Sequence, residues 1–378
     1  MAYKKYRAEK YQYKEWIISE LQEEIARIQK MIQDKLGPRR THHPGNGVVH
    51  DVYVWAWGFP LAWGHLDCEV GALDWSSVSN WIDKAVRLNV HELDIGINKL
   101  QLPLSVFTST TLTKLRISRK SCHYMGWKCP SFVNLPCLKT LDIAGHRSSI
   151  VNVFKLIDGC PVLESLSLEV TRHTNKKDYI FNIPTLKRLK LTYRSCTNNV
   201  INKVVLRVPN LEYLLVSGVL CSYFVMEDVS SLSKFPFTTS LPIFPNMKHL
   251  ELKGYLQARL IPQFLRRCPK LKSLCIDAVS KKHEEGCWIK PKLVPTCMLT
   301  NLTTIKFSNC NGQKSEVEFL EYMLGNAMVL KTATITCNCL SIEEEKRLCA
   351  VLSWFSRASS LCKIHFQTSK LSSSTVYS

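Results

Sequence analysis

No stretch of this 378-residue chain is both long and apolar enough to cross a bilayer: Val52 to Trp63 is short and contains Pro60, and Leu211 to Met226 carries Glu212. The N-terminus, Met1 to Lys14, lacks the apolar core of a secretory signal. There is no Walker A sequence, no G-x-S-x-G, no H-E-x-x-H and no G-x-G-x-x-G behind a strand, and Gly45 and Gly47 lie in a linker. Cys122, His123, Cys129 and Cys137 fit no standard zinc spacing, and Cys337 with Cys339 has no second pair of thiols at ligand distance. The expectation is therefore a chain that is not an enzyme, with no catalytic residues, no cofactor and no metal.

Blocks of like charge are absent as well. The 50 basic and 31 acidic residues give a formal net charge of +19, yet basic residues come in ones and twos, and the densest cluster, Lys4 to Lys14, is interleaved with Tyr and Glu. A nucleic-acid-binding alternative rests on that charge alone and would show as steeply salt-dependent retention of RNA or DNA. The sixteen cysteines read differently without a secretory signal. Cys137, Cys160, Cys268 and Cys275 sit where a repeat uses small apolar residues, so the expected compartment is reducing, the cytoplasm or nucleus.

What the chain has is a repeat. A six-residue phrase, apolar-x-x-apolar-x-apolar, recurs as Leu112/Leu115/Ile117, Leu138/Leu141/Ile143, Leu163/Leu166/Leu168, Leu186/Leu189/Leu191, Leu211/Leu214/Val216, Met247/Leu250/Leu252 and Leu271/Leu274/Ile276. The intervals are 26, 25, 23, 25, 36 and 24 residues, mostly those of leucine-rich repeats. A weaker copy, Val90/Leu93/Ile95, precedes them, and Cys221 to Leu241 is the expected insertion in the long interval. Pro136, Pro161, Pro184, Pro209, Pro245 and Pro269 stand two residues ahead of six successive copies. Proline cannot donate to a ladder, so it belongs just before a strand. Each phrase ends in the alternation of a strand, and short helices are expected between strands, clearest at Ile150 to Gly159. The expected fold is α/β: a leucine-rich-repeat solenoid with a curved sheet and short helices.

From Leu293 to Phe366 the spacing loosens. Val294, Pro295 and Cys297 open this segment; Gly312, Glu316, Glu318, Phe319, Tyr322, Leu324, Asn326 and Ala327 follow. Leu330, Lys331 and Ile335 come next, then Arg357, Ser359, Cys362, Ile364 and Phe366. In that order the segment resembles the FBD domain of plant F-box/LRR/FBD proteins. Upstream, Trp81 to Ala85, Val90, Leu93 and Ile95, then Leu102, Pro103, Val106, Phe107 and Leu112, are similar to the family's entry into its repeats. The resemblance covers about residues 66 to 366 and implies a solenoid capped by a C-terminal α/β FBD domain. It further implies a substrate receptor of an SCF-type cullin-RING ubiquitin ligase, in which an F-box docks the ligase adaptor and the repeats hold a protein substrate. Met1 to His65 has neither the Leu-Pro-Asp/Glu opening nor the Arg-Trp-x-x-Leu-Trp close of an F-box. The alternative is accordingly an F-box-less LRR/FBD interaction module that does not recruit the ligase.

The expected organisation is an amphipathic helix in 1–38, with Ile18, Leu21, Ile25, Ile28 and Ile32 on one face, and a linker and Trp-rich segment in 39–65. Repeats occupy 66–290, the FBD domain 291–368 and a disordered tail 369–378. Residues between the buried positions of each phrase point outward onto the concave face. Lys114, Arg116, Thr140, Asp142, Arg188, Lys190, Tyr213, His249 and Glu251 are the candidate protein-binding residues. Their basic pairs and amphipathic Tyr suit a partner with acidic elements.

Overall fold

The computed structural model describes residues 50–58, 62–70, 75–96, 102–118, 129–144, 150–171, 179–194, 204–218, 243–254, 260–278, 290–337, 341–368 and 375–377. The N-terminal helix, the insertion at Cys221 to Leu241, and Cys122 with His123 lie outside them. The chain divides into two compact units, 1–163 with 167–169 and 164–166 with 170–378. Each is mixed α/β, with a mainly parallel sheet and short helices.

The first unit opens with β1 (His50–Gly58) and β2 (Ala62–Val70), an antiparallel pair. Here lies the Trp-rich segment that no sequence pattern assigned; its run of β-branched and aromatic residues favours a strand. β1 then pairs antiparallel with β3 (Glu92–Gly96), covering the edge of the first repeat strand. β3, β4 (Lys114–Ser118) and β5 (Thr140–Ile143) run parallel. Their register stacks Leu93, Leu115 and Leu141 in one buried column and Ile95, Ile117 and Ile143 in another. Helices α1 (Trp75–Arg87) and α2 (Leu104–Phe107) pack together, and α3 (Ile150–Asp158) buries Val153, Leu156 and Ile157. The division falls at β6 (Ser165–Thr171).

In the second unit β8 (Arg188–Arg194), β10 (Tyr213–Gly218), β11 (His249–Gly254), β12 (Ser273–Ala278), β13 (Thr304–Ser308), β14 (Thr332–Cys337) and β15 (Lys363–Thr368) lie side by side, all parallel. Leu189, Leu214, Leu250, Leu274, Ile305, Ala333 and Ile364 form one unbroken buried column, so the sheet passes from the repeats into the FBD-like segment without a register shift. Each buried side chain contributes about 1.5–3 kcal/mol, and only stacking encloses it. β16 (Thr375–Tyr377) pairs antiparallel with β15, in the stretch expected to be a disordered tail. Helices α4 (Leu260–Arg267), α5 (Thr296–Thr300), α6 (Lys314–Asn326) and α7 (Ile342–Ser353) each pack on the next in sequence.

One expectation needs correcting, and one stretch carries strands that no sequence pattern assigned. The described residues between β6 and β10 include two short strands outside the main sheet. β7 (Tyr179–Asn182) and β9 (Val204–Arg207) form a separate parallel pair that buries Phe181, Val205 and Leu206, as β-branched and aromatic tetrapeptides favour. The four cysteines also split: Cys160 and Cys268 are buried, but Cys137 is exposed and Cys275 half-buried on the outward side of β12.

The prolines have a sharper role than standing ahead of strands. Each is the second residue of a four-residue turn whose last N–H donates to the first carbonyl, as Leu138 does to Leu135, Leu211 to Val208 and Leu271 to Cys268, at 3.1–3.2 Å. Proline presets the φ that the second turn position requires. After the turn, two successive N–H groups share one carbonyl of the preceding repeat. Glu212 and Tyr213 donate to Lys187, Lys272 and Ser273 to Lys248, and Thr303 and Thr304 to Lys272, at 2.8–3.1 Å. The last of these pairs carries the ladder from the repeats into the FBD-like segment.

Candidate protein-binding face

Strand alternation places the nine candidate residues opposite the buried columns: β4 reads exposed, buried, exposed, buried, and β11 exposed, buried, intermediate, buried. They form two groups, one in each unit.

In the first unit Lys114 lies directly across from Glu92, with Nζ 2.9 Å from the carboxylate. Arg116 lies between Asp94 and Asp142, at 3.5 and 3.4 Å. Thr140 flanks Lys114 in register. These are directly opposed cross-strand pairs of opposite charge, exposed enough that each contributes only ~0–1 kcal/mol. Burial pushes the Asp94 carboxyl above its ordinary value despite the facing guanidinium. The two cations expected to reach for an acidic partner are thus already neutralised. Glu92 and Asp94 were missed because they belong to the weak first copy; the signal was there, since they hold the same offsets in the phrase as Lys114 and Arg116.

The second unit differs. Tyr213 donates its hydroxyl to Glu251 at 2.8 Å, and Lys253 pairs with the other oxygen of Glu251 at 3.1 Å. Burial works to raise the Glu251 carboxyl, but the hydrogen bonds from Tyr213 and Lys253 outweigh it and hold it below the usual carboxylate value. The same burial, with the hydrogen bond to Glu251, pushes the Tyr213 phenol up, so the ring is a neutral donor. Lys187 and Lys248 pair with Glu164 and Glu212 at 3.0 and 2.9 Å. Arg188 and Lys190 are exposed and form no ion pair among the described residues, and exposed His249 lies beside Tyr213 in register. Lys306 was overlooked because its strand was read as part of another domain. It occupies, between Ile305 and Phe307, the place Lys190 has between Leu189 and Leu191.

Among the described residues no group of three or more His, Cys, Asp or Glu side chains could hold a metal ion. None of their helices is long and apolar enough to cross a membrane.

Two family models match the chain. One described as FBD covers residues 290–335; the other, described as the LRR repeats of FBD-associated F-box protein At5g56370, covers residues 78–223. The chain is 26% identical to FBD-associated F-box protein At4g10400 of Arabidopsis thaliana, over 76% of its own length and 77% of the relative's. It is likewise 26% identical to F-box/FBD/LRR-repeat protein At4g26340 of the same plant, over 76% and 78%. No solved structure matches. The chain is thus similar to the plant F-box/FBD/LRR-repeat proteins, in its LRR segment and in its FBD segment alike.

Proposed function

We propose that this chain is a protein-binding scaffold, a curved leucine-rich-repeat solenoid whose outward sheet face holds a protein partner. We further propose that it acts as the substrate receptor of an SCF-type cullin-RING ligase. The observation that carries the first reading is the outward row of the second unit, where Arg188, Lys190 and Tyr213 stand on strands locked by an unbroken parallel ladder. Rigid strands present side chains without an ordering cost at the moment of binding, which is what a recognition surface needs. The receptor reading leans on the F-box in the names of the relatives. The competing reading, an interaction module that does not recruit the ligase, leans on the missing F-box signature in Met1 to His65.

Mixing the purified chain with the ligase adaptor on a sizing column separates the two. Co-elution as a stable complex supports the receptor; separate elution of a chain shown to be folded supports the module. The face itself is tested by Arg188→Glu with Lys190→Glu, which should weaken capture of a protein partner at least about tenfold. Unchanged capture removes this face from the reading.

A further inference from the structure

The outward face of the second unit does not end with the repeats. Because β12 and β13 pair in register, the rows of outward positions run on through β13, β14 and β15. Lys253, on one of these rows, and Lys187 and Lys248, each one residue ahead of its strand, are occupied by Glu251, Glu164 and Glu212. Arg188, Lys190, Lys272, Lys306, Lys331 and Lys363 are exposed and form no ion pair among the described residues. Their placement is uneven. Arg188 and Lys190 stand on β8, Lys306 on β13 and Lys363 on β15, with Lys272 and Lys331 one residue ahead of β12 and β14, while between the two groups lies the mutually satisfied cluster of Tyr213, Glu251 and Lys253 beside Leu215 and Cys275. We propose that the binding face runs from β8 through the FBD strands to β15, and that it takes an extended polypeptide segment with carboxylates towards both ends and an uncharged middle.

This rests on the reading above that the outward face is where a protein partner binds. Length and charge decide the occupant. The seven parallel strands from β8 to β15 are separated by six steps of about 4.8 Å, about 29 Å in all, which an extended peptide of about nine residues crosses. Carboxylates at its ends meet the cations that form no ion pair among the described residues, and its uncharged middle meets side chains that need no further counter-charge. A nucleic acid fits less well. A continuous strand of phosphates would face Glu251 and Asp277, and Tyr213 is the only Phe, Tyr or Trp at the described outward positions from β8 to β15.

The test is fluorescence anisotropy of the full-length chain with a labelled peptide of about ten residues. The peptide carries Glu and Asp at both ends and Leu, Tyr, Ser and Gly between. The variant Lys272→Glu, Lys306→Glu, Lys331→Glu, Lys363→Glu should bind it at least about tenfold more weakly. The control Lys292→Glu, Lys314→Glu, Lys346→Glu, Arg347→Glu changes net charge equally at exposed positions on α6, on α7 and ahead of α5, and should stay within about twofold. Should the first variant fail to fold by circular dichroism, the corresponding Lys→Gln set decides, with a smaller loss in the same direction. If reversal at Arg188 and Lys190 weakens the peptide and the FBD set does not, the extension is overturned while the repeat face stands. If neither set weakens it, both readings fall. No binding by the parent chain, equal loss in the control, or tighter binding of single-stranded DNA at about 150 mM salt overturns the carboxylate-rich partner.

Discussion

Gly159 follows α3, and two different demands meet on it. As the stop after Ile150–Asp158 it was legible in the sequence. What the sequence conceals is that a Cβ built there would fall 2.8 Å from the Val133 carbonyl oxygen and 2.4 Å from its Cγ1. Its carbonyl also accepts from Leu135 at 2.9 Å, which draws the preceding turn against the helix end. Gly159→Ala should therefore destabilise the chain by about 1–3 kcal/mol, read as a lower urea midpoint. A midpoint equal to the parent's would show that the segment carrying Val133 shifts freely. The cysteines teach the same lesson. Spacing identified small apolar positions at Cys160 and Cys268, which are buried, but not that Cys137, in the third place of its turn, is exposed.

Among the elements, α6 shows how a family-like motif residue can be a structural one. Glu316 sits at the third helical position, completing a capping box with Gln313, and its carboxylate accepts from the backbone N–H groups of Asn311 and Gln313 at 3.0 Å. It is buried, and its second oxygen has no hydrogen-bond partner among the described residues. Burial pushes the carboxyl above its ordinary 4.5, in spite of the hydrogen bonds that favour the charge. The folded chain thus holds this proton more tightly than the unfolded one. Its contribution to stability is fullest below 4.5 and declines as pH rises from there through the folded value. Glu316→Gln keeps an acceptor oxygen and cannot ionise, so the variant should lose less stability than the parent between about pH 4 and pH 7. Urea melts at the two pH values check this; identical losses would mean that Glu316 does not titrate in that window. α7 is capped in the same way: the Ser341 hydroxyl accepts from the Glu344 N–H, and the Glu344 carboxylate accepts in return from the Ser341 N–H at 2.9 Å. Its Leu348 and Leu352 are buried, while Val351 faces out.

Over the whole second unit, stability is a property of columns. Leu250 stands fully enclosed between Leu214 and Leu274, with the same stacking continuing on both sides. A carboxylate there has no partner and separates the strands before it from those after it. In a nearest-neighbour stack that removes the coupling which makes unfolding cooperative. Leu250→Asp should cost about 4 kcal/mol or more and turn a single sharp urea transition into a broad or two-step one. A parent-like transition would show that this column does not hold the unit together. The same continuity underlies the extended binding face, since a sheet with no register shift at β12 and β13 presents one set of rows.

The repeat, its strands, the buried positions of each phrase and the outward positions of the candidate residues were all determined by the sequence, because each follows from a period of two or from the spacing of Leu and Pro along the chain. The weak first copy and the similarity to FBD proteins were legible as well, through residues that hold fixed offsets in a pattern. Four things were decided only in three dimensions. The Trp-rich segment covers the edge of β3; β7 and β9 pair with each other apart from the main sheet; Lys114 and Arg116 are neutralised by acids one strand away; and FBD strands continue the rows of the repeats. The physical reason is common to all four. A sequence shows which way a side chain points from its own strand, but the charge or surface that meets it comes from a neighbour more than twenty residues away, such as Glu92 for Lys114, and register alone selects that neighbour.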